Sequence, residues 1–196
     1  MFEVSRLELI DGEATLTLPD GTPVLMRASP NVRALPFDVS VRAFGKEVTF
    51  ANFAPIHVVP DGAGRTKFVG ELLCIPGDDG RSFAAIVGLY SVVFVDARSR
   101  SITEILRLRR EANEDQGFYQ LRVEPITGGF ILLYESGAAR IDTAGNVVWH
   151  HQLRWDDTYK GTDGEMLIFS SEFGEDAPGD WAISIADGTK LKLKQA

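Results

Sequence analysis

Residues 128–149 read GGFILLYESGAARIDTAGNVVW, and this stretch decides the fold class. Its apolar residues come in short runs rich in Ile, Leu, Val, Phe and Tyr, separated by small turn residues. Such runs are typical of β-strands, and glycines at 128–129 and 145 supply the positive φ that tight turns need. The stretch therefore predicts three short β-strands joined by tight turns.

The same scheme recurs on both sides of this stretch. Residues 66–108 and 157–194 each contain a leading strand, a loop with glycine, an apolar strand and an Asp-bearing turn. The turn aspartates Asp96, Asp142 and Asp187 recur about every 45 residues, close to the length of a four-stranded WD40-type blade. The spacing predicts three repeat-like units, at residues 66–110, 117–155 and 157–194.

The pattern Gly-x-[apolar run]-x-x-x-Ile-Asp-x-x-Gly-x-Val-x-Trp within residues 128–149 resembles blades of PQQ-like and WD40-like β-propellers. It is also similar to segments of uncharacterised bacterial proteins of propeller-like pattern. The resemblance covers residues 66–194, is strongest over 128–155, and implies a fold rather than a chemistry. The chain departs from it in lacking the Gly-His…Trp-Asp pair at WD40 spacing, and no set of PQQ ligands can be placed on it. We therefore expect no cofactor.

These observations predict an all-β protein of antiparallel four-stranded repeat units, propeller-like and small or incomplete. A β-sandwich or an open meander is the alternative. Residues 101–115 also carry helical i, i+3, i+4 spacing, but their position after an Asp-bearing turn favours a strand. We expect one all-β domain over residues 1–196, in which residues 1–65 form a degenerate or capping β region.

Composition limits the classes of function. The chain has 196 residues, 44% hydrophobic and 24% charged, as in a globular domain, and a formal net charge of −8. That charge argues against nucleic acid as a partner, because phosphate binding needs clustered Lys and Arg. The single cysteine excludes an intrachain disulfide, and no basic and apolar leader or membrane-spanning apolar run occurs. We therefore expect a cytoplasmic protein without membrane contact.

The run VVWHHQLRW at 147–155 places two adjacent histidines between tryptophans. On a strand, side chains alternate, so Trp149, His151 and Trp155 are predicted to share a packing face. His150 is then predicted to lie on the opposite face, and the two histidines cannot bind one metal ion together. We expect no metal site here and a hydrogen bond for His151 in or near the core.

The face opposite to Trp149 is the candidate partner-binding face. Strand alternation gives it His150, Arg154 and Asp156, and the acid-rich segment that follows adds three more residues. The candidate residues are His150, Arg154, Asp156, Asp157, Asp163 and Glu165.

Three functions remain open. The chain has no G-x-S-x-G or H-E-x-x-H motif and no EF-hand spacing, so no catalytic residue is assigned. We expect a non-enzymatic binding module with a protein partner, of the bacterial kind that sequesters another protein. One alternative is a hydrolase or lyase acting on carbohydrate through Asp156, Asp157, Asp163 and Glu165. The other is a calcium-supported structural protein that uses the acidic loops at 155–165 and 172–180.

Overall fold

The structure is a computed structural model of the chain. For residues 3–6, 57–60 and 66–76 it describes the backbone alone, and elsewhere in the described ranges it includes the side chains. The described residues are 3–10, 12–29, 38–53, 57–60, 66–76, 82–109, 117–173 and 179–193.

Every regular element in these ranges is an antiparallel β-strand, which confirms the predicted all-β class. The chain divides into two compact units, an N-terminal unit, Met1–Tyr119, and a C-terminal unit, Gln120–Ala196. The strands of the N-terminal unit are β1 (Glu3–Ile10), β2 (Glu13–Thr17), β3 (Pro23–Ala28), β4 (Val39–Ala43), β5 (Lys46–Phe50), β6 (His57–Pro60), β7 (Thr66–Pro76), β8 (Ser82–Val87), β9 (Ser91–Asp96) and β10 (Ser101–Arg107). Those of the C-terminal unit are β11 (Arg122–Ile126), β12 (Gly129–Tyr134), β13 (Gly137–Asp142), β14 (Val147–Gln152), β15 (Asp157–Asp163), β16 (Met166–Ser171), β17 (Gly179–Ser184) and β18 (Lys190–Lys192).

Four-stranded meanders are the building block of the fold, as predicted. Strands β2–β5, β7–β10, β11–β14 and β15–β18 each pair in chain order. Units of this kind occur in small or incomplete propellers and in open meanders. The segment at 101–107 is a strand, β10, paired with β9, which confirms the preference for strand over helix there.

In the N-terminal unit, β1 joins the two meanders, because it pairs with β7 of one and with β2 of the other. Along one edge β7 pairs with all eight residues of β1, and its other edge carries β6 and then β8. Strand β1 contacts β2 at the single pair Ile10↔Glu13. Residues 1–65 thus contain one complete meander, β2–β5, and two strands that extend the sheet of the next. The single-domain organisation and the role of this region as a cap stay predictions.

The core of the N-terminal unit lies between the β2–β5 meander and one face of β8 and β9. Side chains of alternating residues meet there, with Met26 and Val41 fully buried on one side and Ile86 and Val93 on the other. Hydrogen bonds also join the same two meanders at their edges. The Lys46 ammonium donates to the Arg100 carbonyl at 2.8 Å, and the Arg107 guanidinium donates to the Ala51 carbonyl at 3.0 Å.

The three equally spaced aspartates make turns, as their spacing suggested. Asp96 accepts a hydrogen bond from the amide of Arg98, Asp142 from that of Ala144, and Asp187 from that of Thr189, at 2.8–3.0 Å. The Thr189 amide is also the main reason that the pKa of Asp187 lies below its usual value. Each carboxylate replaces a backbone acceptor in the bend, which is how Asp favours turns.

The core of the C-terminal unit lies between its two four-stranded sheets. One sheet contributes Ile131, Leu133, Trp149 and others, and the facing sheet contributes Leu167, Phe169 and Ile183. Burial of each of these large side chains stabilises the unit by about 1.5–3 kcal/mol.

A polar clamp joins the same two sheets. The Trp149 indole donates to the Ile185 carbonyl at 3.0 Å, and Arg140 donates to the carbonyls of Ile185 and Ala186 at 2.9 and 2.5 Å. His151 Nε2 lies 2.6 Å from the Gly188 carbonyl oxygen, which only accepts, so this nitrogen donates. We call these three side chains and the turn 185–188 the turn clamp. The structural role predicted for Trp149 and His151 is confirmed.

Gly188 is the tightest point of the turn clamp. Its φ is +78°, and a Cβ at this position would lie 2.7 Å from Cγ of Trp149. Gly128 has the same φ of +78° but no heavy atom within 4 Å of a Cβ, so it is a matched control.

We predict that Gly188→Ala lowers the free energy of unfolding by about 1–3 kcal/mol more than Gly128→Ala, because only Gly188→Ala overpacks the site. Both variants carry the cost of alanine at positive φ, about 1–2 kcal/mol. Urea unfolding followed by tryptophan fluorescence measures the difference. Equal losses in the two variants would contradict the tight contact between Gly188 and Trp149.

Candidate functional site

The structure separates the six residues of the predicted partner-binding face. Strand β14 ends at Gln152, and a turn closed by a hydrogen bond from the Asp157 amide to the Arg154 carbonyl follows. Strand alternation therefore stops before Arg154. The prediction that His150 and Asp156 share a strand face is wrong, since the Asp156 side chain is 1% exposed whereas His150 is exposed.

The acidic candidates divide between the two ends of β15. Asp156 and Asp157 lie at its start, whereas Asp163 is its last residue and Glu165 stands in the next turn. A strand of this length spans roughly 20 Å. The four carboxylates therefore do not converge on one position. Asp163 and Glu165 are exposed at the end of β15 that lies away from Asp156 and Asp157.

Two exposed aromatic side chains mark the start of β15 instead. Trp155 is 82% exposed and Phe173 is 55% exposed, and their rings stack with centroids 5.4 Å apart at an interplanar angle of 22°. We call this pair the aromatic platform. The prediction that Trp155 packs beside Trp149 and His151 is wrong, because the turn after Gln152 sends its ring into solvent. Sequence reasoning also missed Phe173, whose one signal is an aromatic residue within the acidic stretch SEFGED.

A buried carboxylate holds the platform together. Asp156 Oδ2 accepts a hydrogen bond from the Phe173 amide at 2.8 Å, and its Oδ1 lies 3.2 Å from Nε of Arg154. This contact ties the turn that carries Trp155 to the loop that carries Phe173. The buried carboxylate is thus stabilised by one backbone donor and by a neighbouring cation, although its Oδ1 makes no hydrogen bond. Asp156 is therefore a positioning residue.

A second carboxylate braces the same turn. Asp157 Oδ2 accepts from the Arg154 amide at 2.7 Å, and its Oδ1 accepts from the Ser171 hydroxyl at 2.5 Å. Ser171 in turn accepts from the Trp181 indole at 2.9 Å. Of the six predicted residues, Arg154, Asp156 and Asp157 thus come together. Their hydrogen bonds and ion pair fix the turn that carries Trp155.

His150 belongs to a different cluster on β14. Its Nε2 lies 2.5 Å from the hydroxyl of the buried Tyr134, which is its neighbour on the same sheet face. The side chain of His150 is partly shielded from water, and this shielding is the main cause that lowers its pKa. The charge of His151 lowers the pKa of His150 further. Burial raises the pKa of Tyr134 far above its usual value. Both side chains therefore stay neutral near pH 7.

The described residues contain no group of three His, Cys, Asp or Glu side chains that could hold a metal ion. Glu175 and Asp176 of the predicted acidic loop at 172–180 lie outside the described residues. Over the described ranges there is likewise no helix with the length and apolar character that a membrane crossing requires.

Comparison with known proteins gives no relative for this chain: no family model matches it, and neither does a curated protein or a solved structure.

We predict that Asp156→Ala lowers the free energy of unfolding by about 1–3 kcal/mol, because it leaves the Phe173 amide without its acceptor. Asp163→Ala, which removes an exposed carboxylate at the far end of β15, is expected to change stability by less than about 0.5 kcal/mol. Urea unfolding of both variants tests this. A loss in Asp156→Ala no larger than in Asp163→Ala would contradict the positioning role.

We predict that His150 makes the protein less stable as the pH falls from about 7.5 to about 5.5. The unfolded chain takes up a proton on His150 near pH 6.5, whereas the folded state does so only at lower pH. In this pH range the unfolded state binds more protons than the folded state, so the free energy of unfolding decreases as the pH is lowered. Urea midpoints across this range should fall less steeply in His150→Gln than in the unsubstituted chain. Identical slopes would contradict the lowered pKa.

Proposed function

We propose that the protein is a non-enzymatic interaction module that binds a protein partner through the aromatic platform of Trp155 and Phe173. The observation that carries the proposal is a stacked aromatic pair left in solvent while a buried carboxylate fixes its geometry. An apolar side chain that stays in water does not contribute the free energy that its burial would add to the fold. Contiguous exposed apolar surface is a mark of interaction sites.

The residue types suit an interface hot spot. Tryptophan, tyrosine and arginine dominate the binding energy of protein interfaces, and Trp155 stands beside the exposed Arg154. The bonds of Asp156 and Asp157 hold the turn in place before any partner arrives. Such preorganisation reduces the entropy lost on binding.

The platform alone is smaller than a stable interface. Two aromatic side chains bury about 150–250 Å² each, against about 800 Å² per partner in a standard complex. Polar residues around the pair, among them the exposed Arg154 and Glu172, would complete the contact area as a rim. The proposal includes a cytoplasmic location, which the single cysteine favours because disulfide pairs are typical of oxidising compartments.

The two alternatives have weaker support. A carbohydrate hydrolase acting through Asp156, Asp157, Asp163 and Glu165 requires paired carboxylates about 5–10 Å apart, but these residues divide between opposite ends of β15. Asp156 and Asp157 are also occupied by hydrogen bonds that shape the turn. A calcium-supported structure would lose thermal stability in a chelator, and an unchanged melting temperature would remove that alternative.

We predict that Trp155→Ala and Phe173→Ala each weaken binding of the purified partner about 30-fold, as expected for hot-spot residues. The partner is first obtained by affinity capture with the intact chain and then titrated by calorimetry. Val148→Ala, at an apolar side chain 43% exposed on β14, is the matched control and should leave the Kd within about twofold. Circular dichroism checks the fold of every variant. Undiminished affinity in both aromatic variants would refute the proposal.

A further inference from the structure

The surroundings of the aromatic platform are negatively charged. Glu172 precedes Phe173 in the chain and is exposed, and Asp180 is exposed near the start of β17, at the same end of its sheet. Asp157 is half-buried beneath the turn. The one cation described at the turn, Arg154, lies 3.2 Å from the buried Asp156 and offsets that charge. Two lysines of β18, Lys190 and Lys192, also lie next to Trp181 at this end of the sheet. The described acidic side chains there, Asp156, Asp157, Glu172 and Asp180, still outnumber the basic ones, Arg154, Lys190 and Lys192, as they do in the whole chain.

Aromatic rings near carboxylates are suited to cations. The face of an indole carries negative electrostatic potential and attracts ammonium and guanidinium groups. The C-terminal unit already contains two such contacts, with the Arg122 guanidinium 5.6 Å from the Tyr159 ring and the Lys190 ammonium 5.1 Å from the Trp181 ring. Trp155 stacks on Phe173 and is 82% exposed, so much of its ring surface is open to an incoming group.

We propose that the platform recognises a basic segment of the protein partner, with an arginine side chain of that segment stacked on Trp155 and Glu172 pairing with its charge. This inference rests on the proposed function and adds the chemistry of the partner. The planar guanidinium stacks on an aromatic face and bonds a carboxylate at the same time, so we infer arginine rather than lysine. The net charge of −8 would also speed the approach of a basic partner, and salt would slow it.

Three labelled dodecapeptides of matched length test this chemistry: one alternates Arg and Gly, one alternates Glu and Gly, and one alternates Ser and Gly. Fluorescence anisotropy measures their binding to the intact chain at about 50 and 150 mM salt. We expect binding of the arginine peptide alone, weaker at the higher salt. Binding of the glutamate or serine peptide as tight as that of the arginine peptide, or no binding of the arginine peptide, would overturn the inference.

Variants distinguish binding of the peptide at the platform from general charge attraction to the chain. Trp155→Ala is expected to weaken the arginine peptide about fivefold, with Trp155→Phe in between, and Glu172→Gln about two- to fivefold. Asp163→Asn removes the same unit of charge at the far end of β15 and should leave the Kd unchanged. An equal effect of Asp163→Asn and Glu172→Gln, or undiminished binding by Trp155→Ala, would show diffuse attraction and overturn the inference.

The purified partner distinguishes this inference from the proposed function. If the partner needs Trp155 and loses affinity when the arginines of its contacting segment become glutamine, both stand. If it needs Trp155 but those substitutions leave the Kd unchanged, the basic-segment inference fails alone. A partner that binds Trp155→Ala and Phe173→Ala normally refutes the proposed function itself.

Discussion

The turn clamp is the constraint on which the C-terminal unit depends. Three side chains of one sheet, Arg140, Trp149 and His151, donate hydrogen bonds to backbone carbonyls of the 185–188 turn in the other. Half-buried donors of this kind cost free energy when they lose their acceptors, so the two sheets have one favourable alignment. The aromatic platform lies on segments that enter and leave the same sheets, at the β14–β15 turn and after β16. Its own geometry is fixed by the bonds of Asp156 and Asp157 to Phe173 and Ser171 at the paired ends of β15 and β16.

Most of the polar residues that first suggest chemistry in this sequence serve the scaffold. His151 belongs to the turn clamp, and Asp156 and Asp157 bond backbone and side-chain groups around the β14–β15 turn. The same turn leaves the stacked rings of Trp155 and Phe173 in solvent. The proposed binding function would account for a rigid polar network that supports an exposed aromatic pair.

The parts of the fold that depend on local sequence could be predicted. Apolar runs and glycine turns at 128–149 indicate the strands, and the spacing of Asp142 and its counterparts indicates turns. The pairing of β1 with β7 is non-local, and no pattern in residues 1–65 encodes it, whereas β6 and β7 are consecutive strands that pair as a hairpin. The prediction of the site was wrong for a related reason. Alternation gives the faces of a strand but not its end, and the contact between Trp155 and Phe173 depends on the pairing of β15 with β16.

Mapping of the bound surface by nuclear magnetic resonance tests the central claim most directly. With an ¹⁵N-labelled chain and unlabelled partner, the account predicts the largest shift changes at the Trp155 indole and the Phe173 amide. The Trp149 and Trp181 indoles, which donate to Ile185 and Ser171 within the fold, serve as internal references and should change little. Large changes elsewhere in the chain, with an unchanged Trp155 indole, would contradict the account.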